Sequence, residues 1–306
     1  MQTIAVIGEA LIDLVETDDD APRLARPGGS PYNVAIGLAR LEQPTAFAGR
    51  LSRDPLGTVL RHHAARSGVD LSLCVDAAQP TTVALVELDA SGAASYRFGV
   101  EGTADFQWTD AELAAIPDDV AAVHFGSLAS WLPPGDAVIE RRIAQLRAAG
   151  AAVSYDPNVR PHLQPDAVAA RAQLEPMIAL AHLVKTSEED IAWLRPGEAV
   201  PDVAASWLAL GPSAVVVTRG GAGASAFTSA GETTRPPVPV DVVDTVGAGD
   251  AFTSGLLDAL ARRGLLTPAG IASAPYAELL DDAGLVASIT CSRAGANPPR
   301  LGELGR

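Results

Sequence analysis

The sequence predicts an α/β fold, with a mostly parallel central sheet covered by helices on both faces, and three observations carry that prediction. Short β-rich runs alternate with helical patterns along most of the chain. The helical patterns bring their own start and stop residues. Glycine-bearing loops mostly follow strands, the end at which an open α/β sheet binds its ligands.

The expected strands are Ile4–Ile7, Ala46–Ala48, Val120–His124, Ala152–Tyr155, His182–Lys185 and Ala214–Thr218. Between them, Tyr32–Leu41 and Ser187–Leu194 read as helices. Leu56–Ser67 has Asp54 as cap, Pro55 at its first position and Gly68 as stop, and Pro134–Ala149 stops at Gly150. Ala10–Glu16 and Thr82–Phe98 break the alternation as strands in succession, the latter turning at Ala90-Ser91-Gly92. Such strands can form a small projecting sheet. Residues 1–306 thus read as one α/β domain, with projecting strands from about 10–20 and 80–105.

With 48% hydrophobic and 19% charged residues, the composition is ordinary for a soluble globular protein. No apolar run approaches the ~18 residues of a membrane span. The N-terminus lacks a basic segment, and Glu9 and Asp13 interrupt its apolar stretch, so it reads as a buried strand of a cytoplasmic protein and not as a signal peptide. A formal charge of −15 argues against nucleic-acid or anionic-membrane partners. Cys74 and Cys291 read as packing residues, and His62, His63, His124, His162 and His182 lack the spacing of a metal site.

The most informative stretch is Asp244-Thr245-Val246-Gly247-Ala248-Gly249-Asp250-Ala251-Phe252. Phe252, Leu256, Leu257 and Leu260 line one face of a helix, whose first turn is then Gly247 to Ala251. Gly247, Ala248 and Gly249 offer backbone amides and the helix dipole to an anion. A carboxylate at 250 would repel a bound phosphate, which makes Asp250 the wrong choice for simple phosphate binding and the right one for a base. Beside an anion-stabilising helix start it can take the proton of a hydroxyl as that oxygen attacks the γ-phosphorus of ATP. A helix cap with glycine turns would leave the same local pattern.

Gly28-Gly29-Ser30-Pro31 opens a helix one turn before Asn33, whose amide both donates and accepts and therefore suits a polyol. Asp13, among Leu11, Ile12, Leu14 and Val15, needs a partner in apolar surroundings. Asp156-Pro157-Asn158-Val159-Arg160 follows a strand, and Arg160 suits the oxygens of a transferring phosphate; a loop closed by an Asp156–Arg160 contact is the alternative. Thr218-Arg219-Gly220-Gly221-Ala222-Gly223 is either a plain turn or an approach to ATP phosphates. Ser187 with Asp190 makes an approximate capping box.

Asp244 to Gly255 resembles the C-terminal signature of the ribokinase-like (phosphofructokinase B type) carbohydrate kinases, and Gly28 to Ala35 resembles the N-terminal one. The likeness runs from Ile4 to about Pro298. Gly8–Asp13, the Gly28 segment, Phe125–Ala129 and Asp156–Pro161 are most similar to bacterial fructokinases. The resemblance implies a three-layer α/β/α ribokinase-like fold with a small β lid over the sugar. It further implies ATP-dependent phosphorylation of a sugar with Mg²⁺, in which Asp13, Gly28, Gly29 and Asn33 hold the sugar and Lys185, Thr218, Gly220, Gly223 and Ser288 face the nucleotide. Asp244 and the backbone at Val246 resemble ligands of a K⁺ ion. The family's Asn-x-x-Glu motif, which organises Mg²⁺, has Ser187 and Asp190 at its ends here, and both depart from it. The loop Gly49–Gly57 departs at Leu51 and reads as structural. A homodimer through the lid is compatible with the resemblance.

The same fold also serves 2-keto-3-deoxygluconate, ribose and nucleoside kinases, and a non-catalytic sensor could retain it. A dinucleotide-dependent oxidoreductase fits poorly, because Ile4–Ile7 leads into Gly8-Glu9-Ala10 and not into G-x-G-x-x-G.

Overall fold

Successive side chains of a strand point to opposite faces of its sheet, and here both faces are buried. Ile4 and Val6 pack into one core, Ala5 and Ile7 into another. The computed structural model describes residues 3–15, 24–88 and 94–305. Along the chain run strands β1 (Ile4–Ile7), β2 (Leu11–Val15), β3 (Leu24–Gly28), β4 (Thr45–Ala48), β5 (Arg50–Ser52), β6 (Val75–Ala77) and β7 (Val83–Leu88). They are followed by β8 (Ala94–Gly99), β9 (Ala122–Gly126), β10 (Ala152–Asp156), β11 (Leu183–Ser187), β12 (Ala214–Thr218), β13 (Ala224–Thr228) and β14 (Gly231–Arg235).

The large sheet has eight strands in the order β14-β13-β12-β11-β10-β9-β1-β4. From β4 to β12 neighbours are parallel, and the β12–β13–β14 edge is antiparallel. Helices Ser30–Arg40, Pro55–Ser67, Ala248–Arg262 and Tyr276–Cys291 cover one face through Tyr32, Leu60, Phe252 and Leu279. Helices Asp136–Ala148, Ala167–Leu180, Glu188–Leu194 and Val200–Leu208 cover the other through Ile139, Leu174, Ile191 and Val203. The result is the expected three-layer architecture.

Caps behave as their residue types require. Asp54 accepts from Gly57 N at 2.7 Å, Pro55 opens its helix, and Gly68 ends it at φ 89°. Some boundaries differ from expectation: β9 starts at Ala122, where it meets Ile4, and runs on to Gly126, which pairs with Asp156. The helix expected from Pro134 starts at Asp136.

A second sheet, in the order β3-β2-β7-β8, stands apart from the large one. Its strands β2, β7 and β8 are those expected from the breaks in alternation. Strand β3 was not expected, because Pro27 and Gly28 read as a loop; it lies at the sheet's edge, where a proline removes no internal ladder bond. The Ala90-Ser91-Gly92 turn and residues 16–20 of the projecting strands lie outside the described residues.

Candidate active site

Several of the candidate residues lie at or just beyond the carboxyl ends of the parallel strands β10, β11 and β12. Asp250 lies in the first turn of helix Ala248–Arg262, whose N-cap is Gly247 at φ 74°. No side chain caps this helix start, which leaves its amides for an anion. A Cβ on Gly247 would stand 2.5 Å from Ala296 Cβ, and one on Gly249 would stand 3.0 Å from Lys185 Nζ. Glycine is therefore required at 247, by close approach and by its left-handed φ, while at 249 a side chain would press on the lysine's end.

The Asp250 carboxylate is buried and held from both sides. Ser30 Oγ donates to Oδ1 at 2.6 Å, and Asn33 Nδ2 donates to Oδ2 at 2.8 Å. Burial raises its pKa, while Ser30, Asn33, Lys185 and Arg160 pull the other way. Asn33, expected at the sugar, thus also grips the Asp250 carboxylate.

Asp13 reaches the same place from β2. Its carboxyl is pushed up to about 6 by burial, against Arg160 and Arg26 and with the negative charge of Asp250 adding to the rise. Gly28, opposite Leu11 on the neighbouring strand, lies close to this carboxyl, and a Cβ there would come within 2.4 Å of Asp13 Oδ2. Gly29 adopts φ 105° and caps the helix that carries Ser30 and Asn33.

Beyond β10, Asn158 takes the left-handed conformation at φ 41°. Its side-chain oxygen accepts from Arg160 Nη1 at 2.6 Å, so the guanidinium is tied to its own loop and not to Asp156. Asp156 instead accepts from Lys185 Nζ at 2.9 Å, in an ion pair that is buried on both sides. Burial pulls the lysine's pKa down, but Asp156, Asp250 and Asp190 outweigh it and hold the pKa above the ordinary value.

A cleft of about 530 Å³ opens beside this site, lined among others by Lys185, Thr218, Gly220, Gly223 and Ser288. All five residues expected at the nucleotide therefore meet in one cavity, and Ala248 and Gly249 join them at its wall.

The metal candidates are more constrained. Ser187 Oγ accepts from Asp190 N at 3.0 Å while Asp190 accepts from Ser187 N at 3.3 Å and from Val159 N at 3.1 Å. The capping box engages Oδ2 and the Val159 amide engages Oδ1, so each Asp190 oxygen accepts at least one backbone hydrogen bond. Among the described residues no three His, Cys, Asp or Glu side chains form a metal cage. Asp244 accepts from Val246 N at 3.0 Å and Gly295 N at 2.7 Å, with Arg26 Nη1 at 3.8 Å. Its oxygens retain lone pairs for a cation.

Sequence reasoning missed Glu9 and Asp105. Glu9, fully buried between β1 and β2, accepts from Ser30 N at 3.3 Å and Ala129 N at 3.2 Å. Asp105 accepts from Ala10 N at 2.9 Å and is pushed up to about 7 by burial. For Glu9 the available signal was the one used for Asp13, a carboxylate inside an apolar run.

Fold and site together define a class, the α/β kinases that phosphorylate an alcohol. A model of the pfkB family carbohydrate kinases matches residues 1–301, and the chain belongs to that family. It is a carbohydrate kinase with the ribokinase-like fold. The fructokinase of Rhizobium leguminosarum bv. trifolii is 38% identical over 273 residues, 88% of this chain and 83% of that protein. The structure of a fructokinase with bound ATP from Xylella fastidiosa superposes with a TM-score of 0.87 at 29% identity, covering 99% of this chain and 96% of that one. Aminoimidazole riboside kinase from Salmonella enterica, complexed with aminoimidazole riboside and an ATP analogue, gives 0.86 at 28%, covering 99% and 98%. No helix among the described residues is long and apolar enough to cross a membrane.

Proposed function

We propose that the protein is a fructokinase and that Asp250 is its general base. The observation that carries this reading is the position of a buried carboxylate, gripped by Ser30 and Asn33, in the first turn of an uncapped helix beside a nucleotide-sized cleft. In the reaction, a primary hydroxyl oxygen of fructose forms a bond to the γ-phosphorus of ATP. The bond from that phosphorus to the β–γ bridging oxygen breaks, ADP leaves with the electron pair, and the hydroxyl proton passes to Asp250.

Asp13 and Asn33 orient the sugar, with Gly28 and Gly29 giving the close backbone approach. Arg160 and the amides of Gly247, Ala248 and Gly249 meet the transferring phosphoryl oxygens. Lys185, Thr218, Gly220, Gly223 and Ser288 face ATP. Mg²⁺ bound to ATP would supply phosphate charge neutralisation, with Asp190 reaching it through water. A K⁺ ion at Asp244 and the Val246 backbone would order the neighbouring glycine loop; turnover indifferent to replacing K⁺ by a large organic cation at fixed ionic strength would exclude it. The reading includes a homodimer through the small sheet, tested by sedimentation, and a cytoplasmic location, where ATP is available.

ADP release measured against fructose, ribose, 2-keto-3-deoxygluconate and aminoimidazole riboside tests the acceptor. Fructose is expected to give the highest kcat/KM, in line with the 38% identity to a fructokinase. A riboside preferred over fructose would support the second reading, which the Salmonella enterica structure favours.

A further inference from the structure

We propose that Ser30 is a positioning residue for the reaction: its hydroxyl, with the Asn33 amide, fixes the plane of the Asp250 carboxylate and stabilises its negative charge. This inference rests on Asp250 being the base. Ser30 and Asn33 are three residues apart on one helix and so share a face. One donates to Oδ1 and the other to Oδ2, at 2.6 and 2.8 Å, which stops rotation of the carboxylate about its Cβ–Cγ bond. Each oxygen keeps a lone pair for a substrate hydroxyl.

Ser30 is itself held in place. Its N–H donates to Glu9 Oε1 at 3.3 Å, and the other Glu9 oxygen accepts from Ala129 N at 3.2 Å. The preceding Gly29 presses against the same residue, since a Cβ there would lie 2.5 Å from the Glu9 carbonyl oxygen. The backbone that carries the hydroxyl is therefore fixed beside the carboxylate. Glu9 also lies on the link from the large sheet to the small one, so the strand that brings Asp13 to the sugar and the helix that orients the base share one anchor.

The charged groups that couple to Asp250 come from several elements: Lys185 on β11, Asp156 at the end of β10, Arg160 in the following loop and Asp13 on β2. Against burial, the Ser30 hydrogen bond is the foremost influence favouring the charged form. A charge-assisted bond of this length has no substitute from solvent, because Ser30 is buried.

The test is a carbon-13 titration of aspartate-labelled protein, in which the carboxyl signal missing from Asp250→Asn identifies Asp250. In Ser30→Ala its midpoint should lie about one pH unit above wild type, and kcat near neutral pH should fall roughly tenfold with ATP affinity unchanged. Ser30→Cys, which keeps most of the volume but donates weakly, should give a smaller shift in the same direction. An unmoved midpoint in both variants overturns the inference, whatever their activity. Full turnover by Asp250→Asn would instead overturn the base assignment, so the two failures are distinguishable.

Discussion

Lys185 Nζ stands 2.9 Å from Asp156 Oδ2, with 5% of the lysine and 1% of the aspartate exposed. Adjacent parallel strands bring the two together, and the ammonium lies under Gly249, at the helix start that leads to Asp250. The chain's lone lysine is thus spent on a buried pair at the site.

Removing one partner of such a pair leaves the other charged and largely out of water. Asp156→Asn and Lys185→Met are each expected to lower the unfolding free energy by ~3–5 kcal/mol in urea denaturation. The double variant Lys185→Met/Asp156→Leu should be more stable than either single one. Singles within ~1 kcal/mol of wild type would show that the pair is solvated.

Asp13 reaches the site from the small sheet and does not line the cleft proposed for the nucleotide. Asp13→Ala should raise the KM for fructose by ~10²-fold or more while leaving the ATP Kd within about twofold, since only the sugar's hydroxyls lose their acceptor. Separate titrations of the two ligands check this. Equal losses for both would mean that the sugar is placed wrongly.

Asp105 gives a pH signature of stability. With its pKa pushed up to about 7 by burial, it binds a proton in the folded protein that the unfolded chain has already released above its ordinary value of 3.8. The stabilisation is present at low pH and lost as pH rises through about 7. Asp105→Asn cannot ionise and keeps an acceptor for Ala10 N–H. Its stability relative to wild type should therefore increase by more than ~1 kcal/mol between pH 5 and 8. Asp13, with the same sign, and His63, His124 and His182, whose pKa values burial lowers, are common to both proteins and cancel in the comparison. A constant difference across this range would contradict the account.

Much of the large sheet could be read in advance, because strands buried on both faces are short continuous apolar runs set off by capped helices. Ile4–Ile7 and Ala214–Thr218 match their expected bounds, and Asp54, Pro55 and Gly68 act at the ends of one helix as their chemistry dictates. Strand β3 was not legible, since Pro27 disfavours a strand until its edge position is known. At the site, glycines beside a carboxylate pointed to Asp250, but nothing local could show that Ser30 and Asn33 grip it, because those bonds span 220 and 217 residues. For Asp156 the sequence offered only a contact with its neighbour Arg160, as an alternative reading; the adjacent strand gives it Lys185. Glu9 escaped notice although the reasoning applied to Asp13 fitted it equally well.

Turnover by Asp250→Asn, measured with saturating ATP and fructose alongside the ATP Kd, tests the central claim most directly. The amide keeps the side chain's size and can still meet Ser30, but it cannot accept a proton. The account predicts a fall in kcat of ~10²–10⁴-fold with folding and ATP affinity nearly unchanged. Turnover close to wild type would contradict it.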